Sequence, residues 1–277
     1  MIPCILANNA FFYYADLNRA TRFYAEVMGF ELVADFDFAR IFQIASSSFL
    51  TLVDGKRTGN QHSLDEPKTV TLALVSQEVE GWFDYLRSQN VVVKHDLNWK
   101  PAQPHDGFVV LDPEGYFLEI ERFNPHPENS QLLPLLEALP AHTPAATSQR
   151  PAQLTISATV LWLYYQEIDS IRTFYEETLG LQGVVRQRFS DIYQSSPSGF
   201  VGPVIAGQGL HDYTEQRCIT VSLITDDVAA WFNMLKQADH FPLRTQEIHE
   251  GGRYRSIVGY DPVGYFVEFT EFRPPLA

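Results

Sequence analysis

The chain has 277 residues, 45% hydrophobic and 13% aromatic, enough to furnish one large core or two ordinary ones. A formal net charge of −14 argues against a nucleic-acid backbone as partner, because that binding needs Lys and Arg to neutralise phosphates. No apolar run reaches the roughly 18 residues of a membrane span, the N-terminal residues lack a signal-peptide pattern, and Cys4 and Cys218 make no disulfide framework; the expectation is a cytoplasmic protein.

Residues 8–14 read as a strand, and Asp16 or Asn18 caps the helix that follows. Leu17, Ala20, Phe23, Tyr24, Val27 and Met28 fall at helical spacing, and Gly29 stops the helix. Two or three short strands run on to Val53, broken by Ser46-Ser47-Ser48. This is one β-α-β-β-β unit. The order restarts with a strand at Thr69–Val75, a helical stripe of Val79, Trp82, Phe83 and Leu86, and strands at 91–93 and 108–111. Trp82, like Trp231 later, sits on such a stripe and belongs to the core.

Residues 124–156 break the rhythm with loop composition. A short helix fits Gln131–Leu139 despite Pro134, and its expected place is a domain surface. A third unit begins near Ser157, with the stripe Ile168, Ile171, Phe174, Tyr175 and Leu179 and a stop at Gly180. Pro203 in its last strand predicts a bulge or an edge. A fourth begins near Cys218, with the stripe Val228, Trp231, Phe232 and Leu235.

One stretch ties the halves together. Asp112-Pro-Glu-Gly-Tyr-Phe-Leu-Glu119 returns as Asp261-Pro-Val-Gly-Tyr-Phe-Val-Glu268. Each copy is a tight turn, with Pro setting φ and Gly at the position of positive φ, feeding an alternating strand. Leu118 and Ile120 face one way, and Glu119 the other; Val267 and Phe269 oppose Glu268. The chain therefore divides into a first domain (1–123), a Pro-rich linker with a short helix (124–156) and a second domain (157–277). The fold class is α+β, with two tandem domains of two β-α-β-β-β units each.

Asp-Leu-Asn-Arg-Ala-Thr-Arg-Phe-Tyr (16–24) with Met-Gly-Phe (28–30), its echo Ile-Asp-Ser-Ile-Arg-Thr-Phe-Tyr (168–175) with Leu-Gly-Leu (179–181), and the two turns resemble the vicinal oxygen chelate superfamily. That superfamily holds glyoxalase I, bleomycin-resistance proteins and extradiol dioxygenases. The resemblance implies that each domain curls its mixed sheet into a cup, with helices outside and a ligand cavity within. Strand parity puts Leu72, Leu74, Leu161, Leu163, Val221 and Leu223 on the helix side. Asn9, Phe11, Tyr13, Thr71, Ala73 and Val75 then line the first cup, and Val160, Trp162, Tyr164, Thr220, Ser222 and Ile224 the second, with Glu119 and Glu268 on the same faces.

Metal-dependent relatives carry His, Gln or Glu on first strands and Glu near the end of last strands. Here the last-strand Glu is present twice, but the first-strand positions hold Asn9, Thr71, Val160 and Thr220, which are poor or impossible ligands for iron or zinc. No metal ligand set and no cofactor are expected, and a divalent metal is disfavoured. The loop histidines His62, His95, His105, His211, His240 and His249 form no ligand motif. His105 and His249 are the ones placed to reach a cup, and Arg253, Tyr254 and Arg255 lie near a mouth.

The reading is a metal-independent small-molecule binder of the glyoxalase/bleomycin-resistance type, with an aromatic or cationic ligand held by Asn9, Phe11, Tyr13, Thr71, Val160, Trp162, Tyr164, Thr220 and Ser222. The alternative is a lyase or isomerase of a carbonyl compound, with Glu119 or Glu268 as catalytic base and an unconventionally held divalent metal. A third class is a catalytically silent interaction partner. Neither nucleic acid nor membrane is an expected partner, and the assembly is a monomer or homodimer.

Overall fold

The computed structural model describes residues 2–57, 59, 61–99, 102–238 and 241–276; His240 lies outside them. The first unit is β1 (Ala7–Tyr14), α1 (Leu17–Arg22, extended by a wider turn over Phe23–Val27), β2 (Glu31–Asp35), β3 (Ala39–Ala45) and β4 (Ser48–Asp54). The second is β5 (Val70–Val75), α2 (Val79–Ser88), β6 (Val92–Asn98), β7 (His105–Leu111) and β8 (Phe117–Phe123). A linker helix, α3 (Leu132–Glu137), precedes the third: β9 (Ala158–Tyr165), α4 (Asp169–Thr173, extended over Phe174–Thr178), β10 (Gln182–Arg186), β11 (Asp191–Gln194) and β12 (Gly199–Ile205). The fourth is β13 (Ile219–Ile224), α5 (Val228–Leu235), β14 (His249–Glu250), β15 (Tyr254–Tyr260) and β16 (Phe266–Phe272).

The local signals act as expected. The Asp16 carboxylate caps α1 by accepting from the Arg19 amide at 2.9 Å. Gly29, at φ 69°, ends that helix in the left-handed conformation. Pro203 has no amide hydrogen for the β11–β12 ladder. That ladder pairs Tyr193 with Val201 and resumes only at Ser190 with Val204, so the residue marks an interruption within β12 and not a sheet edge.

The units form two eight-stranded mixed sheets, as expected of an α+β tandem fold, but their partnership differs from the sequence reading. The first sheet runs β14-β15-β16-β13-β1-β4-β3-β2, and the second β10-β11-β12-β9-β5-β8-β7-β6. Unit one thus joins unit four, and unit two joins unit three. The seams are antiparallel: Asn9 faces Ser222 across β1–β13, and Ala73 faces Val160 across β5–β9. Each seam satisfies the backbone edge that β1 or β5 would otherwise leave open. Strand parity holds throughout. Phe12, Tyr14, Leu72, Leu74, Leu161, Leu163, Val221 and Leu223 enter one core with the helix residues Tyr24, Trp82, Phe174 and Trp231.

The repeated turn explains why two units of one half lie in different sheets. In the first copy Asp112 accepts hydrogen bonds from the amides of Glu114 (2.9 Å) and Tyr116 (2.8 Å), closing the turn. It also accepts from the hydroxyls of Tyr14 (2.6 Å) and Tyr24 (3.0 Å), which belong to unit one. The Tyr116 hydroxyl accepts from the Tyr13 amide (2.9 Å) and donates to the Cys218 carbonyl (2.7 Å). Asp261 and Tyr265 repeat these roles with Tyr165 and Tyr164. A buried polar seam thereby joins the two units of each half through their helix sides, with the Tyr116–Cys218 contact reaching into the other half, while β1 and β5 pair with strands of the other half. Asp112→Ala leaves two tyrosine hydroxyls and two amides without this acceptor in a buried site. A loss on the order of 3 kcal/mol is expected in urea unfolding, and a loss below 0.5 kcal/mol would refute the seam's importance.

The linker helix corrects a second expectation. It lies not on an outer surface but on the concave face of the second sheet: Leu132 and Leu136 are buried in one cluster with Ala73, Val75, Val160 and Phe200, while Pro134, Glu137 and Ala138 stay exposed.

Candidate functional site

The concave faces of the two sheets differ. The first encloses a cavity of about 720 Å³. Its floor and walls come from units one and four: Phe11 and Tyr13 on β1, Ile41 on β3, Thr51 and Val53 on β4, Ser256 and Val258 on β15, and Glu268 and Thr270 on β16. Loop and hairpin residues complete it, with Phe36, Phe38, Arg57 and Gln61 from unit one and Arg244, His249 and Tyr254 from unit four. The walls are therefore mainly aromatic and aliphatic with a few convergent polar groups, the usual make-up of a ligand site.

Glu268 is the buried acid of this cavity, 6% exposed. It accepts from the Thr270 hydroxyl at 2.8 Å. Burial pushes its carboxyl up to about 7, and hydrogen bonds from Thr270, Gln61 and Ser256 oppose that shift. Beside it the Tyr13 and Thr220 hydroxyls share a 2.9 Å hydrogen bond, and Thr220 also donates to Gln61 at 3.1 Å. Asn9 and Thr51 hydrogen-bond to each other at 2.9 and 3.1 Å. Ser222 lies between Asn9 and Glu268 in the ladder, and its buried hydroxyl has no hydrogen-bond partner among the described residues.

Positively charged side chains stand at the opening. The Arg57 guanidinium sits 4.3 Å from the centre of the Phe38 ring, and Arg244 sits 5.3 Å from that of Phe266. Neither makes an ion pair among the described residues, whereas Arg255, one residue from cavity-lining Tyr254, pairs with Glu250 and Glu271. Arg253 lies 4.2 Å from the Phe36 ring centre and donates to the Asp35 carbonyl.

Much of the second concave face is filled by the protein's own side chains, although Trp162 and Glu119 stay half-buried. A Cβ on Gly202 would stand 2.1 Å from the Trp162 indole, so the missing side chain is what lets that ring lie across the sheet. Phe200, Leu132 and Leu136 pack beside it. Glu119 and Glu121 both point to this face. Burial raises both carboxyls, and the proximity of Glu119 raises Glu121 further against a hydrogen bond from Trp162. One Glu121 carboxyl oxygen is buried without a partner.

The expected site residues thus divide. Phe11, Tyr13, Thr220, Asn9, Ser222 and Glu268 belong to the open face. Thr71, Val160, Trp162, Tyr164 and Glu119 belong to the filled one. The expected cup of Asn9, Phe11, Tyr13 and Thr71 does not form, because Thr71 is in the other sheet. His249 lines the cavity, while His105 begins β7 in the other sheet. His62 and His211 take equivalent places that loop composition did not reveal. His62 packs on Tyr13 and Phe266, and His211 on Tyr164 and Phe117. Burial lowers both, His211 to about 4, while Glu66 at 2.6 Å from His62 Nδ1 opposes the shift there. Phe36, Phe38, Arg57 and Arg244 were missed; only their residue types hinted at a role.

No group of three or more His, Cys, Asp or Glu side chains able to hold a metal ion gathers among the described residues. No helix among them is long and apolar enough to cross a membrane. Cys4 is exposed and Cys218 buried, both as free thiols.

Comparison with known proteins agrees with this architecture. Residues 7–120 match the family model of the Glyoxalase/Bleomycin resistance protein/Dioxygenase superfamily. No curated protein matches the sequence. Among solved structures, a protein of Bacillus subtilis subsp. subtilis str. 168, provisionally named a dioxygenase, superposes with a TM-score of 0.69 at 14% identity, covering 99% of this chain and 87% of that one. Glyoxalase I from Zea mays superposes with a TM-score of 0.64 at 14% identity, covering 97% and 92%. Its V278E mutant gives 0.64 at 16% identity over the same shares. At such identities the structures speak for the fold. The family match speaks for residues 7–120, and the solved structures show that the whole chain shares their fold.

Proposed function

We propose that this protein binds a small molecule in the concave face of its first sheet and does so without a metal ion. The observation that carries the reading is the cavity of about 720 Å³, within the roughly 300–1,000 Å³ usual for ligand sites, with aromatic walls and a buried acid. On the second sheet Trp162, Leu132 and Leu136 pack over part of the corresponding face. Free thiols at Cys4 and Cys218 suit a reducing cytoplasm.

The metal reading is weighed on the donor set. Asn9, Thr51, Ser222 and Glu268 offer three neutral oxygen-bearing side chains and one carboxylate, and Asn9 and Thr51 already hydrogen-bond each other. Zinc and non-haem iron are held by several imidazole, thiolate or carboxylate ligands, so this set does not fit them. Protein purified without chelator is expected to carry far less than one equivalent of transition metal, with a melting temperature unmoved by chelator. One equivalent of metal, lost in Glu268→Ala, would overturn metal independence.

One observation favours a second reading, a lyase or isomerase of a carbonyl compound. A carboxyl raised to about 7 at a cavity floor has the basicity of an effective general base near neutral pH. Exchange of a ligand C–H for deuterium, abolished in Glu268→Gln, is its signature; a bound ligand with no exchange removes it. Glu119, in the filled cup, is the weaker of the two candidate bases.

A further inference from the structure

The cavity combines three features that together select a ligand chemistry. Its mouth carries two guanidinium groups, Arg57 and Arg244, without carboxylate partners among the described residues. Each sits on an aromatic ring, Phe38 or Phe266, which restricts the side chain while leaving N–H groups available. The space beyond is walled by Phe11, Tyr13, Phe36 and Tyr254, rings suited to contact with a flat π-face. The carboxyl among the lining residues, Glu268, is buried and already accepts from Thr270.

We infer that the ligand is a flat aromatic acid, its ring system among Phe11, Phe36 and Tyr254 and its carboxylate at Arg57 and Arg244. The inference rests on the small-molecule reading above and narrows it. An isolated cation would meet two unpaired arginines at the entrance and, at the floor, an acid whose burial disfavours the charged form. An anion meets the reverse: guanidinium forks match carboxylate geometry. The chain as a whole carries −14, so attraction of an anion depends on this local inversion of charge, and charges beyond about 8–10 Å are largely screened at physiological salt. Glu268, when protonated, donates to an oxygen at the far end of the ligand, so a hydroxy- or keto-substituted aromatic acid fits better than an unsubstituted one.

The test uses the full chain and three probes of one shape: 2-naphthoate, its methyl ester and 2-naphthyltrimethylammonium, by isothermal titration at low and physiological salt. The acid should bind at least tenfold tighter than the ester and tighter still than the cation. Arg57→Ala and Arg244→Ala should each weaken the acid roughly tenfold, about 1.4 kcal/mol, and leave the ester unchanged. Arg57→Glu should move the preference toward the cation. Both arginines are exposed, so these variants are expected to fold, and unchanged melting temperatures verify it. Ester binding equal to acid, or the cation binding tightest, overturns the inference while leaving the small-molecule reading intact. If none of the three binds but neutral aromatics from a wider panel do, the inference again fails alone. If nothing in that panel binds, both fail.

Discussion

Leu132→Ala should destabilise the protein by about 2–5 kcal/mol, although the residue lies in what reads as a linker. Its side chain is fully buried, packed with Leu136 against the concave face of the second sheet. Truncation removes burial and leaves a space that Trp162, Phe200 and Val160 cannot refill without leaving their rotamers. Urea unfolding measures the loss. A second readout is specific to the site: an apolar cavity of this kind stays dry and accepts xenon or benzene. Xenon should therefore stabilise the variant and not the parent. A loss under about 0.5 kcal/mol would mean that α3 contributes little packing to the cup and that the second face can open.

Glu268→Gln should remove much of the pH dependence of stability between about pH 4.5 and 7. The folded-state carboxyl lies at about 7, above its ordinary 4.5, so the folded protein keeps a proton that the unfolded chain has released. For an acid raised in this way, stability is greatest below the unfolded value, falls as pH rises, and reaches its full penalty above the folded value. A shift of this size corresponds to about 3 kcal/mol at pH 8. The neutral, isosteric variant should therefore be more stable than the parent by about that amount at pH 8, and no more stable at pH 4. Parallel stability curves for the two proteins would show that Glu268 titrates like an exposed carboxyl. Glu119 and Glu121 act in the same direction in both proteins, so the difference between the curves isolates Glu268.

The two effects expose the asymmetry of a duplicated chain. Corresponding ladder positions hold Asn9, Ser222 and Glu268 in the open face, and Val160, Ala73 and Glu119 in the filled one. The second face carries apolar groups where the first has Asn9 and Ser222, together with a tryptophan and a helix. Its acid, Glu119, has its carboxyl pushed up to about 7 by burial.

Much of this was present in local sequence. Alternation assigned Leu72 and Leu161 to the core and Phe11 and Trp162 to the concave side, because neighbouring residues in a strand point to opposite faces whatever the strand pairs with. The Asp-Pro-x-Gly-Tyr turns announced the repeat, since only a few residue types close such a turn. Two things were decided by tertiary structure. Period-two patterning names a face and not a neighbour, and all four first strands carry the same pattern. That β1 pairs with β13, and β5 with β9, is a long-range choice, made while the Tyr14–Asp112 and Tyr165–Asp261 contacts join the units of each half through their helix sides. The lining of the cavity was decided the same way. Phe36, Phe38, Arg57 and Arg244 lie in loops or short turns without periodicity, and only the joining of units one and four brings them over Glu268.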